Sequence, residues 1–252
     1  MRRLGSLIFW VFVGLSSILL FPVAVLIWAV TAPFDPRRRA LHQFTCFWAS
    51  LYTWLNPMWP VTVRGREHLD PATTTVMVAN HLSLLDILVL FRLFTPFRWV
   101  SKAEVFKVPL IGWNMSLNRY IKLKRGDGAS VRAMLAESEA SLRLGSSLMI
   151  FPEGTRSPTG ELRAFKAGAF DLAKRIPVPI VPIVVEGTHD ALPKHGFVLQ
   201  GRHPIRVTVL PPVPAETVAA MDVAALTEHV RSLIAAQLEA DPLVAPTTGA
   251  ED

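Results

Sequence analysis

The chain has 252 residues, of which 51% are hydrophobic and only 18% are charged, and its formal net charge is +6. Soluble domains carry about 25% charged residues, so this shortfall indicates contact with a membrane. The basic balance favours anionic partners such as lipid surfaces, phosphorylated ligands or nucleic acid. The single cysteine, Cys46, excludes an internal disulfide framework and a metal site built from cysteines.

The N-terminal segment is long and apolar. No charged residue lies between Arg3 and Asp35, and this stretch exceeds the ~20 residues that a transmembrane helix needs. Basic residues flank it on both sides, at Arg2 and at Arg37–Arg39, although positive residues prefer the cytoplasmic side. Three arrangements stay open: a helix that bends back near Pro22, a true crossing, and a shallow insertion with both ends at the cytoplasmic face.

The next segment, Leu41 to Trp59, is rich in aromatic residues, several of them at helical spacing. Tryptophan and tyrosine favour the interface between lipid and water. We therefore predict a second amphipathic or membrane-embedded helix paired with the first, with a soluble helix as the alternative. The chain then divides into a two-helix membrane anchor over residues 1–59, a globular domain over 60–240 and a disordered tail over 241–252.

The globular part alternates strands with helices. The strands are predicted at residues 61–64, 75–79, 97–101, 120–123, 148–151, 178–185 and 205–210. Pro179 and Pro182 place the sixth strand at an edge or make it irregular, because proline cannot donate to the ladder. The main helices are predicted at residues 84–93, 109–117, 129–144, 170–175 and 217–238. This order predicts an α/β fold with a mainly parallel central sheet of about seven strands flanked by helices.

Three polar clusters directly follow predicted strands: Asn80–Asp86, Lys122–Asp127 and Glu153–Ser157. The carboxyl ends of parallel strands lie along one edge of a sheet, so these clusters are expected to share a cleft. Within the first cluster, His81 and Asp86 suit a general base and the carboxylate that orients it. A helix-capping aspartate beside a buried histidine explains the same two residues equally well.

A second group of candidate side chains is basic. Arg156 offers a planar fork that suits phosphate oxygens, and Gly154 lets the backbone approach a ligand closely. Lys102, Arg125 and Lys166 add positive charge from neighbouring positions. Together they predict a phosphate-binding site, although any one of them alone would read as a solvated surface charge.

Several functions are disfavoured by what the sequence lacks. It contains neither the phosphate-binding loop of nucleotide triphosphatases nor the Gly-x-Ser-x-Gly turn of serine hydrolases. His81 has no matching ligand cluster for zinc, and the basic residues are not interleaved with aromatic ones, as a nucleic-acid surface would require. A histidine and an aspartate without a protein nucleophile indicate direct transfer to a hydroxyl group of the substrate.

The same residues resemble the glycerolipid acyltransferase family, and most closely its lysophosphatidic acid (1-acylglycerol-3-phosphate) acyltransferases. Asn80–Asp86 matches the family's Asn-His-x-x-x-x-Asp, and Phe151–Ser157 matches its highly specific third block. Further matches are Lys102–Glu104, Pro109–Gly112, Arg125, Phe165–Gly168 and Val178–Ile183. Asn118 departs from the pattern, because a glycine commonly precedes the strand that leads to Arg125, and the turn geometry there is an open question.

The resemblance implies a reaction and a role for each residue. His81 would act as general base on the free hydroxyl of 1-acylglycerol-3-phosphate, and Asp86 would hold its imidazole. The activated oxygen would attack the thioester of acyl-CoA or acyl carrier protein and give phosphatidic acid without an acyl-enzyme. The implied substrate-binding residues are Lys102, Arg125, Glu153, Gly154, Thr155 and Arg156. No metal or bound cofactor is implied.

This reaction and the apolar anchor together place the protein at the cell inner membrane. The active site would face the cytoplasm, and the basic flanks of the anchor would contact anionic lipid. Two alternatives stay open. One is an acyltransferase for another lysophospholipid or lyso-aminolipid, and the other is a non-catalytic membrane protein that binds anionic lipid.

Overall fold

The computed structural model describes residues 2–194 and 196–243, and a seven-stranded sheet lies at its centre. The strands are β1 Val61–Arg64, β2 Val76–Ala79, β3 Arg98–Lys102, β4 Ile121–Leu123, β5 Leu148–Ile150, β6 Ile180–Glu186 and β7 Ile205–Val209. Their order in the sheet is β1-β7-β6-β2-β5-β3-β4. Among the described strands only β6 and β7 pair antiparallel. The predicted α/β fold with a mainly parallel sheet of about seven strands is confirmed.

Helices surround this sheet. They are α1 Arg2–Thr31, α2 Arg39–Trp54, α3 Leu85–Leu90, α4 Ile111–Leu117, α5 Gly128–Arg143, α6 Gly168–Arg175, α7 Thr188–Ala191, α8 Ala215–Ala220 and α9 Val223–Ala240. Short 3-10 turns span Arg66–His68, Phe91–Leu93 and Ala103–Lys107. The single helix predicted over residues 217–238 is wrong, because the chain turns at Met221. The Asp222 side chain then caps α9 by accepting the Ala225 N–H at 2.8 Å.

The central strand β2 is buried on both faces. Val76 and Val78 pack into one core with residues of α5, α6 and α9, whereas Met77 and Ala79 pack into a second core with residues of α1, α2 and α3. Successive side chains of a strand point to opposite faces of the sheet. A short continuous apolar run therefore forms a strand only where helices cover both faces, as they do here.

Of the two alternatives predicted for β6, an edge strand or an irregular one, the edge position is wrong. The strand lies between β2 and β7 in the interior of the sheet, not at an edge. Pro179 precedes the strand, and Pro182 stands just outside the β6–β7 ladder, whose registered pairs begin at Ile183. The carbonyl of Pro182 accepts the Leu210 N–H at 2.9 Å. Pro182 is registered with Val78 of β2, but the nitrogen and carbonyl of one strand residue face the same side, and its carbonyl faces β7. The missing donor therefore falls at the end of the β6–β7 ladder and removes no hydrogen bond to β2.

Helix α1 runs without a break through Pro22. This continuity rules out the reversal near Pro22, whereas a crossing and a shallow insertion both stay open. By length and composition, α1 is the one helix among those described that suffices to cross a membrane. Much of its apolar surface is exposed, with Leu19 at 73%.

Helix α2 joins α1 to the rest of the molecule. Its Tyr52 hydroxyl lies 3.0 Å from the Ser16 hydroxyl of α1 and accepts the indole N–H of Trp48 at 2.6 Å. Leu41 and Trp48 are buried in the same core as Phe91. The two N-terminal helices therefore share a hydrophobic core with the domain that follows them.

The start of the predicted C-terminal tail is held against the sheet. Arg206 forms a buried ion pair with Glu186, with 2.8 Å between Nε and Oε2, and also reaches Asp241 Oδ2 at 3.1 Å. The Leu243 N–H donates to the same glutamate at 2.9 Å. The remainder of that tail, residues 244–252, lies outside the described residues.

In the turn before β4, the residue with a left-handed backbone is one position later than the sequence pattern indicates. Asn118 has an ordinary helical φ of −73°, whereas Arg119 has a φ of 58°. The position that glycine would fit without strain is thus Arg119. A residue with a Cβ in this left-handed region is strained by about 1–2 kcal/mol.

Gly65 follows β1 with a φ of 74°, and a Cβ there would collide with the Val209 carbonyl of β7. Gly201 has a φ of 101°, but no described atom lies within 4 Å of a Cβ at that position. We expect Gly65→Ala to lower the free energy of unfolding by more than about 3 kcal/mol and Gly201→Ala by about 1 kcal/mol. Chemical denaturation of both variants in detergent tests this, and equal losses would contradict it.

Candidate active site

A cavity of about 720 Å³ opens where β2, β3, β4 and β5 end. The predicted site residues that line it are His81, Lys102, Arg125, Gly154, Thr155 and Arg156. Asp86 and Glu153 do not line the cavity and are buried behind its wall. The structure thus brings residues from four separate segments of the chain to one edge of the sheet.

The backbone that carries His81 is fixed from two sides. β2 ends at Ala79, and the Asn80 side chain then exchanges two hydrogen bonds with the Val185 backbone of β6, both 2.8 Å long. The His81 carbonyl accepts the Ser157 N–H at 2.7 Å. Neighbouring elements therefore hold this junction before α3 begins.

The His81 imidazole is paired with Asp86. The distance from Nδ1 to Asp86 Oδ2 is 2.7 Å, and because a carboxylate only accepts, Nδ1 carries the proton. A straight helix would not bring the two side chains together, but α3 starts only at Leu85, so the junction bends back. Nε2 is the ring nitrogen left to face the cavity.

The Asp86 carboxylate is fully buried and accepts four hydrogen bonds. Besides the imidazole, Oδ2 accepts the backbone N–H groups of Leu82 and Ser83 at 2.6 and 2.9 Å. Oδ1 accepts the Thr188 hydroxyl from α7. Thr188 was not predicted from the sequence. Its position as a polar residue after Gly187, at the end of β6, is the only local feature that marks it.

The plane of the imidazole is held by an aromatic stack. The His81 and Phe151 rings lie 3.9 Å apart between centroids and 9° from parallel, and Phe151 stacks in turn on Trp99 at 5.3 Å. The ring is thereby held at one edge by Asp86 and across one face by Phe151. Such a histidine has little freedom to turn away from a bound hydroxyl.

Glu153, which the sequence predicts to bind substrate, is buried behind the wall of the cavity. Its carboxylate accepts the backbone N–H of His81 at 2.7 Å and that of Arg163 at 3.3 Å. It is only 3% exposed, and this burial raises its pKa from 4.5 to about 7. In this geometry Glu153 braces the loop that carries the histidine.

Part of the cavity wall is basic. Lys102, Arg125, Arg156, Lys166 and Lys194 line the cavity, and none of the described lining residues is acidic. Only Lys194 was not singled out in the sequence, where nothing marks the loop after α7. This arrangement of cations suits an anionic group bound close to the imidazole.

Gly154 shows why this loop needs a glycine. Its φ is 72°, and an added Cβ would lie 2.8 Å from Lys166 Nζ. The lysine is fixed at its backbone, where its N–H donates to the Pro152 carbonyl at 2.9 Å. A larger residue at this position would displace a cation of the wall.

The Lys122–Asp127 cluster contributes only in part. Arg125 and Gly126 line the cavity, whereas Lys122 places its ammonium group over the Phe106 ring at 5.1 Å. The Asp127 side chain caps α5 through the N–H groups of the first helical turn.

The rest of the cavity is apolar and extends between the sheet and the N-terminal helices. Its lining includes Val13 of α1, Trp48 of α2, Leu88 of α3 and Met115 of α4. Helix α1 also binds the loop that follows α7, because the Trp10 indole N–H donates to the Phe197 carbonyl at 2.7 Å. The N-terminal helices therefore form part of the cavity itself. Its shape, a polar mouth with an apolar arm, suits an amphipathic ligand.

Known proteins are similar in sequence to this chain. A family model described as Acyltransferase matches residues 60–186. The chain is 36% identical over 213 residues to the 1-acyl-sn-glycerol-3-phosphate acyltransferase LPAT1, chloroplastic, of Arabidopsis thaliana, covering 84% of this chain and 59% of that protein. It is 37% identical over 177 residues to 1-acyl-sn-glycerol-3-phosphate acyltransferase alpha of Bos taurus, covering 68% and 60%. The chain thus spans about three-fifths of the length of these relatives.

The fold is also known. The crystal structure of the 1-acyl-sn-glycerophosphate (LPA) acyltransferase PlsC from Thermotoga maritima superimposes with a TM-score of 0.76 at 21% identity, covering 95% of this chain and 97% of that one. At this identity the likeness is one of fold. The family match is stronger, because it covers half of the chain and contains both the His81–Asp86 pair and the Glu153–Arg156 loop. As the sequence blocks predicted, this chain belongs to the Acyltransferase family.

Proposed function

We propose that this protein transfers an acyl chain from an acyl thioester to the free hydroxyl of 1-acylglycerol-3-phosphate and so makes phosphatidic acid. One observation carries the proposal: a single cavity joins an oriented histidine, a basic wall and an apolar arm. These three parts match the hydroxyl, the phosphate and the acyl chain of one lipid. The names of the relatives from Arabidopsis thaliana and Bos taurus support this choice of acceptor.

His81 is the proposed general base. As the acceptor oxygen bonds to the thioester carbonyl carbon, Nε2 takes the hydroxyl proton, and Asp86 stabilises the imidazolium at Nδ1. The bond from carbon to sulfur then breaks, and the imidazolium returns the proton to the leaving thiolate. Positioned general-base catalysis supplies roughly 10²–10⁴-fold in rate, and holding the two substrates together supplies much of the rest.

The basic wall is the proposed site for the acceptor phosphate. Arg156 presents a guanidinium fork to it, Gly154 and Thr155 bring the backbone close, and Arg125 adds charge. Lys102 is assigned to substrate or to the oxyanion of the thioester carbonyl; its ammonium group is half exposed and lies 3.7 Å from Glu104. The acyl donor is proposed to be acyl-CoA or acyl carrier protein. No metal, bound cofactor or nucleic acid takes part in this proposal.

The acceptor and the product are membrane lipids, so the site must reach a bilayer. We propose that the exposed apolar surface of α1 holds the cavity at the cytoplasmic face of the cell inner membrane. Basic residues near the surface then attract anionic lipid, each by about 1 kcal/mol. Because α1 also lines the cavity, an acyl chain can pass from the bilayer to the site along this helix.

The base is tested with His81→Ala. We expect this variant to fold, to bind membrane and to lose about 10²–10⁴-fold in turnover, because the attacking hydroxyl keeps its proton. The measurement is thiol release from acyl-CoA by protein in nanodiscs supplied with lysophosphatidate. His229→Ala on α9, far along the chain from the site, should keep the wild-type rate. Full activity in His81→Ala would refute the assigned base. If the wild type cleaves no thioester donor at all, the proposal that this protein is an acyltransferase enzyme is wrong.

The phosphate wall is tested with Arg156→Ala. The lost bonds are charge-assisted, so kcat/KM for lysophosphatidate should fall by about 10- to 100-fold. Arg202→Ala, at an exposed arginine outside the cavity, is the matched control and should change little. Mass spectrometry of the products from a panel of lysophospholipids then reads the acceptor directly. Preferred acylation of an acceptor with a larger headgroup would replace lysophosphatidate in this proposal.

The bracing role of Glu153 predicts a pH dependence of stability. Because its pKa rises from 4.5 to about 7 in the folded protein, the folded state binds more protons than the unfolded state between these values. The contribution of Glu153 to the stability of the wild type is therefore lost as the pH rises from 4.5 to 7. Glu153→Gln keeps an acceptor for the His81 N–H but does not titrate. The stability of this variant relative to the wild type should rise through that window and then level off.

Melting temperatures of both proteins across this pH range provide the measurement. Glu161→Gln, at an exposed glutamate, should track the wild type throughout. A constant difference between Glu153→Gln and the wild type from pH 4.5 to 7 would contradict the raised pKa.

A further inference from the structure

A second cavity, of about 500 Å³, lies where β3 and β4 begin, beside α5. It is therefore at the opposite edge of the sheet from the candidate active site. Arg98 stands at the first position of β3, Arg119 in the turn before β4, and Lys122 within β4. Ser116 and Ser141 add hydroxyl groups to the lining. The chemistry of this lining is that of an anion site.

The strongest sign of a missing ligand is the Arg98 guanidinium. Arg98 is only 6% exposed, and its Nη1 donates to the Ser141 hydroxyl at 2.8 Å. Its Nε and Nη2 are buried without a hydrogen-bond partner among the described residues. Leaving buried N–H groups of a cation unpaired is strongly unfavourable, and native structures seldom tolerate it. Burial, followed by the charge of Arg119, lowers the pKa of Arg98.

Arg119 adds a second, independent sign. It holds a left-handed backbone, with a φ of 58°, where glycine would be unstrained. Strain of this kind is retained where a side chain is needed at one place, and here it places a guanidinium at the cavity. Arg38 lies close enough for its charge to act on Arg98, and its own buried Nε lacks a partner within the described part of the chain.

The opposing charge in this cavity is small. Glu137 is the one acidic residue among the described residues that line it, and it forms no ion pair with the described basic residues. We propose that this second cavity binds a phosphate-type oxyanion, with Arg98 and Arg119 as the main donors. Paired guanidinium groups match the oxygens of such an anion, and Ser141 orients the buried one.

This anion site is distinct from the phosphate wall of the candidate active site. β3 begins at Arg98 and ends at Lys102, so the two cavities are separated by roughly 13 Å of one strand. The ligand chemistry is shared by two sources, a free phosphate or phosphate ester in solution and the headgroup of an anionic lipid. Both would present the same oxygens to Arg98.

Inorganic phosphate provides the first test. The full chain in detergent carries Arg156→Ala, which weakens the phosphate wall, and phosphate binding is measured by calorimetry at constant ionic strength. We expect binding that falls at least tenfold when Arg98→Met is added, because charge-assisted hydrogen bonds are lost. Arg202→Gln in the same background should leave the affinity unchanged.

Folding does not confound this test. Arg98→Met exchanges an uncompensated buried charge for an apolar side chain of similar length and should melt no lower than its parent. Arg119→Gln, at an exposed position, gives a second variant that should also weaken phosphate binding. Absence of phosphate binding, or an affinity that neither variant changes, would overturn the proposal.

A soluble short-chain phosphatidic acid distinguishes the two sources of the anion. If it binds more tightly than inorganic phosphate, and Arg98→Met removes this difference, the ligand is a lipid headgroup. If the two affinities are equal, the ligand is a free phosphate. Short-chain phosphatidylcholine, which has the same chains but no net negative charge, is the control, and binding of it as strong as that of phosphatidic acid would overturn an anionic lipid headgroup as the ligand.

Discussion

The buried carboxylate of Asp86 is the group on which the rest of the structure depends. It accepts hydrogen bonds from the His81 imidazole, from two backbone N–H groups of the junction and from the Thr188 hydroxyl of α7. An isolated buried carboxylate would be strongly unfavourable, so these donors make its position stable. One interaction thus shapes the turn after β2, orients the proposed base and joins that turn to the segment that follows the neighbouring strand β6.

Local sequence was sufficient for what depends on neighbouring residues. Apolar runs and polar clusters predicted seven strands and placed His81 at a strand end, and the resemblance supplied the meaning of the Glu153–Arg156 loop. Local sequence was not sufficient for features that depend on pairing between distant parts of the chain. The central place of β6 depends on its partners β2 and β7, and Pro182 is tolerated because its missing N–H would face the end of the β6–β7 ladder. Thr188 reaches Asp86 across 102 residues, a contact that no local pattern records.

The segments that the sequence divides into anchor and domain share one hydrophobic core. α1 and α2 share a core with the sheet-bearing part and also line the cavity. The Trp10 indole further ties α1 to the loop after α7, which carries Lys194. The exposed apolar surface of the N-terminus and the shape of the cavity therefore depend on the same helices.

The hydrogen bond between Thr188 and Asp86 also imposes an order on biosynthesis. Because synthesis begins at the N-terminus, the apolar helix α1 is made long before α7, and domains fold as their segments emerge. Until β6 and α7 arrive, the Asp86 carboxylate lacks one of its four donors and the histidine is not fully held. The four hydrogen bonds of Asp86, and with them the full support of His81, are therefore completed only late in synthesis, long after the apolar helix α1 has been made.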